Sequence, residues 1–149
     1  MRALFITAIL VTAPDRPNPT PDVARPFTEQ LTGEWQVVAS QLAGSPHMTV
    51  KPGQALFVFA GDKMMLRRLD SEKQFTYTFT LDTAKSPATF DFGTAKTKAS
   101  TKFAAGIIKI EGDLLTLCFQ SGGVTARPTE FVSTAGSRIV LWQMKRAKK

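Results

Sequence analysis

Residues Gln74–Asp82 read QFTYTFTLD, an unbroken alternation of apolar and polar side chains. Phe75, Tyr77, Phe79 and Leu81 fall on one face. Gln74, Thr76, Thr78, Thr80 and Asp82 fall on the other. A period of two puts successive side chains on opposite sides of a strand, so this segment predicts a strand with one buried and one wet face. The same period recurs along the chain with turn residues between the runs. Residues 34–41 carry Trp35, Val37 and Ala39 on one face. ALFVFA and KMMLRRL flank Gly61-Asp62, and KFAAGIIKI and LLTLCFQ flank Glu111-Gly112-Asp113, which marks two tight hairpins. There, Ile108 and Ile110 match Leu115, Leu117 and Phe119 as inward-facing residues. A short strand near 89–92 and a final strand over 138–146 complete eight main strands. A ninth is expected at 130–132, and one helical turn near 45–50.

Strands in simple succession, joined mostly by short links, predict an all-β domain: a single antiparallel up-and-down barrel of about eight strands. A sandwich is the rival, but it needs long crossover links. Eight strands enclose either packed side chains or room for one small ligand.

Composition agrees with a folded domain. Of 149 residues, 43% are hydrophobic, and eleven Phe, two Trp and one Tyr supply bulky core material. That content excludes disorder of the whole chain. The net charge of +7 comes partly from Lys96, Lys98 and Lys102 and from the basic end of the chain. Such charge keeps a domain soluble and attracts anionic partners. No nucleic-acid motif accompanies it, so no specific nucleic-acid binding is expected.

Four segments are expected. Residues 1–13 hold one positive charge and an apolar run, as in the first part of a secretory signal. The run is too short to predict a transmembrane span. Pro14 makes a poor cleavage context, but export is the expected fate. Residues 14–30 are rich in proline and predict a linker, with the fold beginning near 27–31. Residues 31–146 form the barrel, and 147–149 a basic tail.

Gly33-Glu34-Trp35 resembles the Gly-x-Trp signature on the first strand of lipocalin-like barrels. A wider series is similar to a small, uncharacterised domain family of planctomycete bacteria: LTGEWQVV, FAGDKMML, TYTFTLDTAKSPATFDF, GIIKIEGDLLTLCF, RPTEF and LWQMKR. The resemblance covers roughly residues 31–146 and implies a lipocalin-like fold. It departs at Ile108, where an aromatic is common, and in the basic stretch 96–102. In lipocalin-like barrels a basic residue of the last strand packs across the Trp, and Arg146 is the matching residue here. Gly33, Trp35 and Arg146 are therefore expected to close the barrel. Physically, Trp35 reads as a plug at one end, its N–H in need of a partner.

Three functions follow from such a chain. A binding module would hold a small apolar or amphipathic molecule against Trp35, Phe57, Phe59, Tyr77, Phe79 and Leu117. A structural or interaction module would fill the same space with Phe57, Phe59, Phe75, Phe79 and Phe119. An enzyme would need a reactive constellation. Asp82, Asp91, Glu111 and Glu130 are the carboxylates nearest strand ends, with no paired spacing among them. No phosphate loop, nucleophile elbow or His-bearing metal motif occurs. Cys118 is the one cysteine and His47 the one histidine, so no internal disulfide can form. No catalytic residue, cofactor or metal is expected. Cys118 is expected to be a buried free thiol.

Overall fold

The computed structural model describes residues 26–46, 50–94, 104–121 and 126–147. The expectations for residues 1–25, for His47 and for the basic stretch 96–102 lie outside the described residues.

The elements run in chain order: α1 (Phe27–Leu31), β1 (Gly33–Leu42), β2 (Ser45–Pro46), β3 (Ala55–Ala60), β4 (Lys63–Arg68), β5 (Gln74–Asp82), β6 (Ala88–Thr94), β7 (Ala104–Glu111), β8 (Leu114–Gln120) and β9 (Ile139–Arg146). Apart from the two-residue β2, each strand pairs antiparallel with the next, and β1 pairs with β9. Eight strands thus close an up-and-down barrel, and the fold class is as the alternation predicts. The two tight hairpins pair Ala60 with Lys63 and Glu111 with Leu114.

Three local features differ from the reading of the sequence. Trp35 and Val37 face inward as expected, but Ala39 does not continue their face. The register jumps from Val37↔Met144 to Ala39↔Gln143, so a β-bulge at Val38 puts two residues opposite one. Val38 is exposed, and Ser40 becomes buried opposite Trp142. The Val37 carbonyl accepts a hydrogen bond from the Gly53 N–H at 2.9 Å, tying the 50–54 loop to this strand. Second, residues 130–132 form no strand. Every long strand of the barrel already has two neighbours, so no edge remains for another. Third, Ser45 and Pro46, at the start of the stretch where a helical turn is expected, pair with the β1 edge; residues 47–49 of that expectation lie outside the described residues.

The helix α1 falls in the segment read as linker. At five residues it is too short to show a period, and no side chain caps it. The Pro26 carbonyl accepts the N–H groups of Glu29 and Gln30, which satisfies part of its first turn. Isolated helices of this length are unstable, so tertiary contact must hold it. Leu31 is fully buried, and Phe27 packs against the core.

The core is a chain of aromatic rings across the barrel interior. Phe57 contacts Trp142 at 4.8 Å between centroids, Trp142 contacts Phe119 at 4.7 Å, and Phe119 contacts Phe92 at 4.9 Å. Phe92 reaches Phe90 at 5.8 Å, Phe90 reaches Phe59 at 6.2 Å, and Phe59 returns to Phe57 at 6.4 Å. Phe79 stacks on Phe90 at 4.9 Å. Strand β7 makes room with small inward residues: Ala104 sits opposite Phe92, and Gly106 between Phe90 and Phe119. Ile108, where the family resemblance leads one to expect a ring, is buried in the same core.

At Gly106 an added Cβ would lie 2.6 Å from the Cys118 carbonyl oxygen and 2.8 Å from Phe119 Cβ. Both neighbours belong to the β8 framework and cannot swing aside. Gly106→Ala is expected to cost about 1–3 kcal/mol by overpacking. Urea unfolding should show a lower midpoint with an unchanged slope.

Candidate functional site

The two ends of the barrel differ in kind. At one end the register places Trp35 directly opposite Arg146. Trp35 has no solvent exposure. Its indole N–H donates to the Leu31 carbonyl at 2.8 Å, so the last residue of α1 satisfies the group the plug must bury. The Arg146 guanidinium lies 4.3 Å from the Trp35 ring centroid. It also donates to the Gln30 carbonyl at 2.8 Å and sits 3.6 Å from an Asp113 oxygen. Gly33 has φ near +125°, a conformation that side chains disfavour, where the chain turns from the helix into β1. Gly33, Trp35, Arg146 and α1 together seal this end.

The interior behind the seal is occupied. Of the residues read from the sequence as a ligand wall, Phe57, Phe59 and Leu117 are completely buried and Phe79 almost so. Tyr77 alone is half-buried; its ring meets Phe92 at 5.5 Å, and burial pushes its phenol pKa up. These six residues therefore divide into a sealed plug, a packed middle and one residue nearer the far end.

That far end carries groups the sequence reading did not single out as a site. Phe75 shares the inward face of Tyr77 but is 45% exposed. Leu42, opposite buried Val140, is 37% exposed. The Ser40 hydroxyl is buried on the same side, with no hydrogen-bond partner among the described residues. Burying a hydroxyl without a partner is costly, so an atom that meets it would be held there. The alternation could have marked Phe75. Ser40 was hidden by the bulge, which changes the face on which it falls.

The outer wall has its own cover. Ala105, Ile107, Thr116 and Cys118 point outward by alternation, yet are buried. Residues 126–132, between β8 and β9, fold back over them. Arg127 anchors it through Asp91, with contacts of 2.6 and 3.2 Å, and also donates to the Gly106 carbonyl at 2.7 Å. The Cys118 thiol donates to the Glu130 carbonyl at 3.5 Å, and Lys109 lies 4.7 Å from the Phe131 ring centroid. Burial pushes the Cys118 thiol up to about 11. A groove of about 400 Å³ opens between Ala126–Pro128 and Gly136–Ile139.

Of the four carboxylates weighed as catalytic, three are engaged in structure, while Glu130 is exposed. Asp82 accepts the Ala84 N–H, Asp91 holds Arg127, and Glu111 sits 3.5 Å from Lys109. Among the described residues no three His, Cys, Asp or Glu side chains gather as a metal site, and no helix is long and apolar enough to cross a membrane. No protein family, curated protein or solved structure matches the chain.

Trp35→Ala should cost roughly 3–5 kcal/mol through lost burial and the cavity it leaves. Arg146→Ala should cost less, chiefly the cation–π contact, worth about 0.5–2 kcal/mol. The double variant should be less destabilised than the sum of the singles, because both remove one contact. Strict additivity in urea unfolding would contradict the shared contact.

A thiol with pKa near 11 is almost wholly protonated at neutral pH, and the thiolate is the reactive form. Labelling of Cys118 should be slow in the native protein and fast in denaturant. A folded pKa above the unfolded value of roughly 8.5 favours the folded state below that pH. This contribution should fade as pH rises toward 11. Fast native labelling at neutral pH would count against the buried thiol.

Proposed function

We propose that this domain is a non-enzymatic binding module of lipocalin-like type, which takes an apolar or amphipathic group at its open end. The observation that carries this is the contrast between the two ends. One end is closed by Trp35, Arg146 and α1. The other leaves Phe75, Tyr77 and Leu42 partly uncovered at inward-facing positions, and the Ser40 hydroxyl, on the same face of β1 as Leu42, has no partner among the described residues. The packed rings of the middle favour a shallow site over a hollow carrier. A polar atom of the ligand would meet Ser40, and its apolar part would cover Phe75.

Among the described residues the thiol is buried and protonated, and Asp82, Asp91 and Glu111 are engaged, which supports the non-enzymatic reading. Export and kinship with the planctomycete domain family belong to the same proposal. They rest on the apolar N-terminal segment and on the Gly33-Glu34-Trp35 and Arg146 pattern. A second reading, a structural module with a filled barrel, draws support from the closed circuit of rings.

Native mass spectrometry of the protein purified from its own host separates the two. The binding reading expects a one-to-one small-molecule adduct. Ser40→Ala should then weaken binding by roughly two- to tenfold, the worth of one hydrogen bond. Phe75→Ala should weaken it through lost apolar contact. No adduct, together with no saturable uptake of a fluorescent fatty-acid probe, would leave the packed module as the function.

A further inference from the structure

The six acidic residues of α1, of the start of β1 and of the neighbouring hairpins lie at the sealed end: Glu29, Glu34, Asp62, Asp82, Glu111 and Asp113. Three cations there sit close to acids: Lys63 is 3.9 Å from Asp62, Lys109 is 3.5 Å from Glu111, and Arg146 is 3.6 Å from Asp113, whereas Lys85 and Lys145 have no carboxylate at ion-pair distance among the described residues. The open end is built differently. Strand β4 ends, and β5 begins, around a hairpin that carries Arg67, Arg68 and Lys73 against Asp70 and Glu72. Asp70 is taken by Arg68 through two contacts of 2.7 and 3.0 Å. Lys51 lies close enough to help hold the Asp70 carboxyl below its ordinary range, although Arg68 is the main cause. Arg67 and Lys73 have no carboxylate at ion-pair distance among the described residues.

Apolar side chains project among these cations. Leu69 at the hairpin is 54% exposed and Phe75 45%. Exposing two large apolar groups, one on the turn and one at the start of β5, is unfavourable in water unless something covers them. Apolar side chains set in a ring of cations match a bilayer surface, where the tips enter the headgroup region and the cations meet lipid phosphates.

We propose that the β4–β5 hairpin docks the domain on an anionic lipid surface, with Leu69 and Phe75 inserted and Arg67, Lys73 and Lys51 facing the phosphates. Charge complementarity selects the occupant, and the apolar tips favour a membrane over a nucleic acid, whose phosphates would give Leu69 nothing to cover. The proposal shares Phe75 with the ligand reading but does not rest on it, because Leu69 lies on the turn and not on the inward face of a strand, and Leu69→Ser tests it separately. Docking would hold the open end of the barrel against the bilayer.

Vesicle sedimentation with the full chain tests it. The protein should bind vesicles of phosphatidylcholine mixed with phosphatidylglycerol and not phosphatidylcholine alone. Added salt should release it, because charge attraction to the leaflet is screened. Arg67→Glu with Lys73→Glu should weaken binding at least about tenfold, given that each basic residue near an anionic leaflet contributes roughly a fivefold factor. Leu69→Ser should weaken it as well. It alters an exposed turn residue, so it keeps the test valid if Phe75→Ser fails to fold. Lys63→Glu with Lys85→Glu makes the same charge change at the sealed end and should leave binding nearly unchanged. Equal loss from both charge reversals would overturn the proposal, since net charge or the N-terminal apolar segment would then carry the binding. Absence of vesicle binding would overturn it too. So would tight binding of single-stranded DNA that depends on Arg67 and Lys73 but not on Leu69.

Discussion

The barrel depends on β1 meeting β9, and that meeting is organised around Trp35 and Arg146. An open sheet of eight strands would expose two edges of unpaired backbone groups. Closing it brings a large indole opposite a guanidinium, and each brings polar groups that cannot be buried alone. The indole N–H is answered by the Leu31 carbonyl, and the guanidinium by the Gln30 carbonyl. Both carbonyls come from the last turn of α1, where helix carbonyls have no partner within the helix. The helix needs the barrel for Leu31 and Phe27 to pack on, and the barrel needs the helix to satisfy its closure. Gly33 makes this geometry possible, since its backbone bends at φ near +125° between the two.

Much of the architecture was legible because alternation records which face is buried. The β5 run, the two tight hairpins and the shared inward face of Ile108, Ile110, Leu115, Leu117 and Phe119 could be read in this way. What escaped is instructive. Alternation assumes an unbroken pleat, so the bulge at Val38 moved Ser40 inward without any compositional mark. The helix α1 is shorter than the window in which a 3.6-residue period shows itself. The cover over β7 and β8 depends on Arg127 meeting Asp91 across 36 positions of sequence, and no local pattern encodes such a pair. The runs around Ala105, Ile107 and Cys118 did carry a signal: β7 and β8 are apolar on both faces, which a strand wet on one side does not require. The candidate site at the far end was the least legible part, because it consists of ordinary apolar residues that differ from core residues only in exposure.

The filled interior changes what a barrel of this kind can do. Eight strands can hold a small ligand only where side chains leave space. Here rings from β3, β5, β6, β8 and β9 meet one another, and β7 yields room to them through Ala104 and Gly106. Ring pairs of this geometry contribute about 0.5–1.5 kcal/mol each beyond their burial. A ligand displacing them would have to replace those contacts. The rings thin out only toward the end of the barrel, at Tyr77 and Phe75.

Topology decides which end that is. In an up-and-down barrel the connections alternate between the two ends. The two-residue hairpins at 61–62 and 112–113 fall at the Trp35 end, together with the 83–87 link. The strand ends at Leu42, Arg68, Thr94 and Gln120 fall at the other, with the 69–73 link. Tight hairpins leave little chain from which to build a site, and they seat the acidic turn residues that neutralise neighbouring cations. Longer links can carry exposed cations and apolar tips such as Arg67, Lys73 and Leu69 without disturbing the pleat. A barrel that seals one end with a helix and a tryptophan therefore frees the other to vary. The exposed Phe75, the buried Ser40 hydroxyl and the basic hairpin share that end because they are placed where the closure of the barrel makes no demand on them.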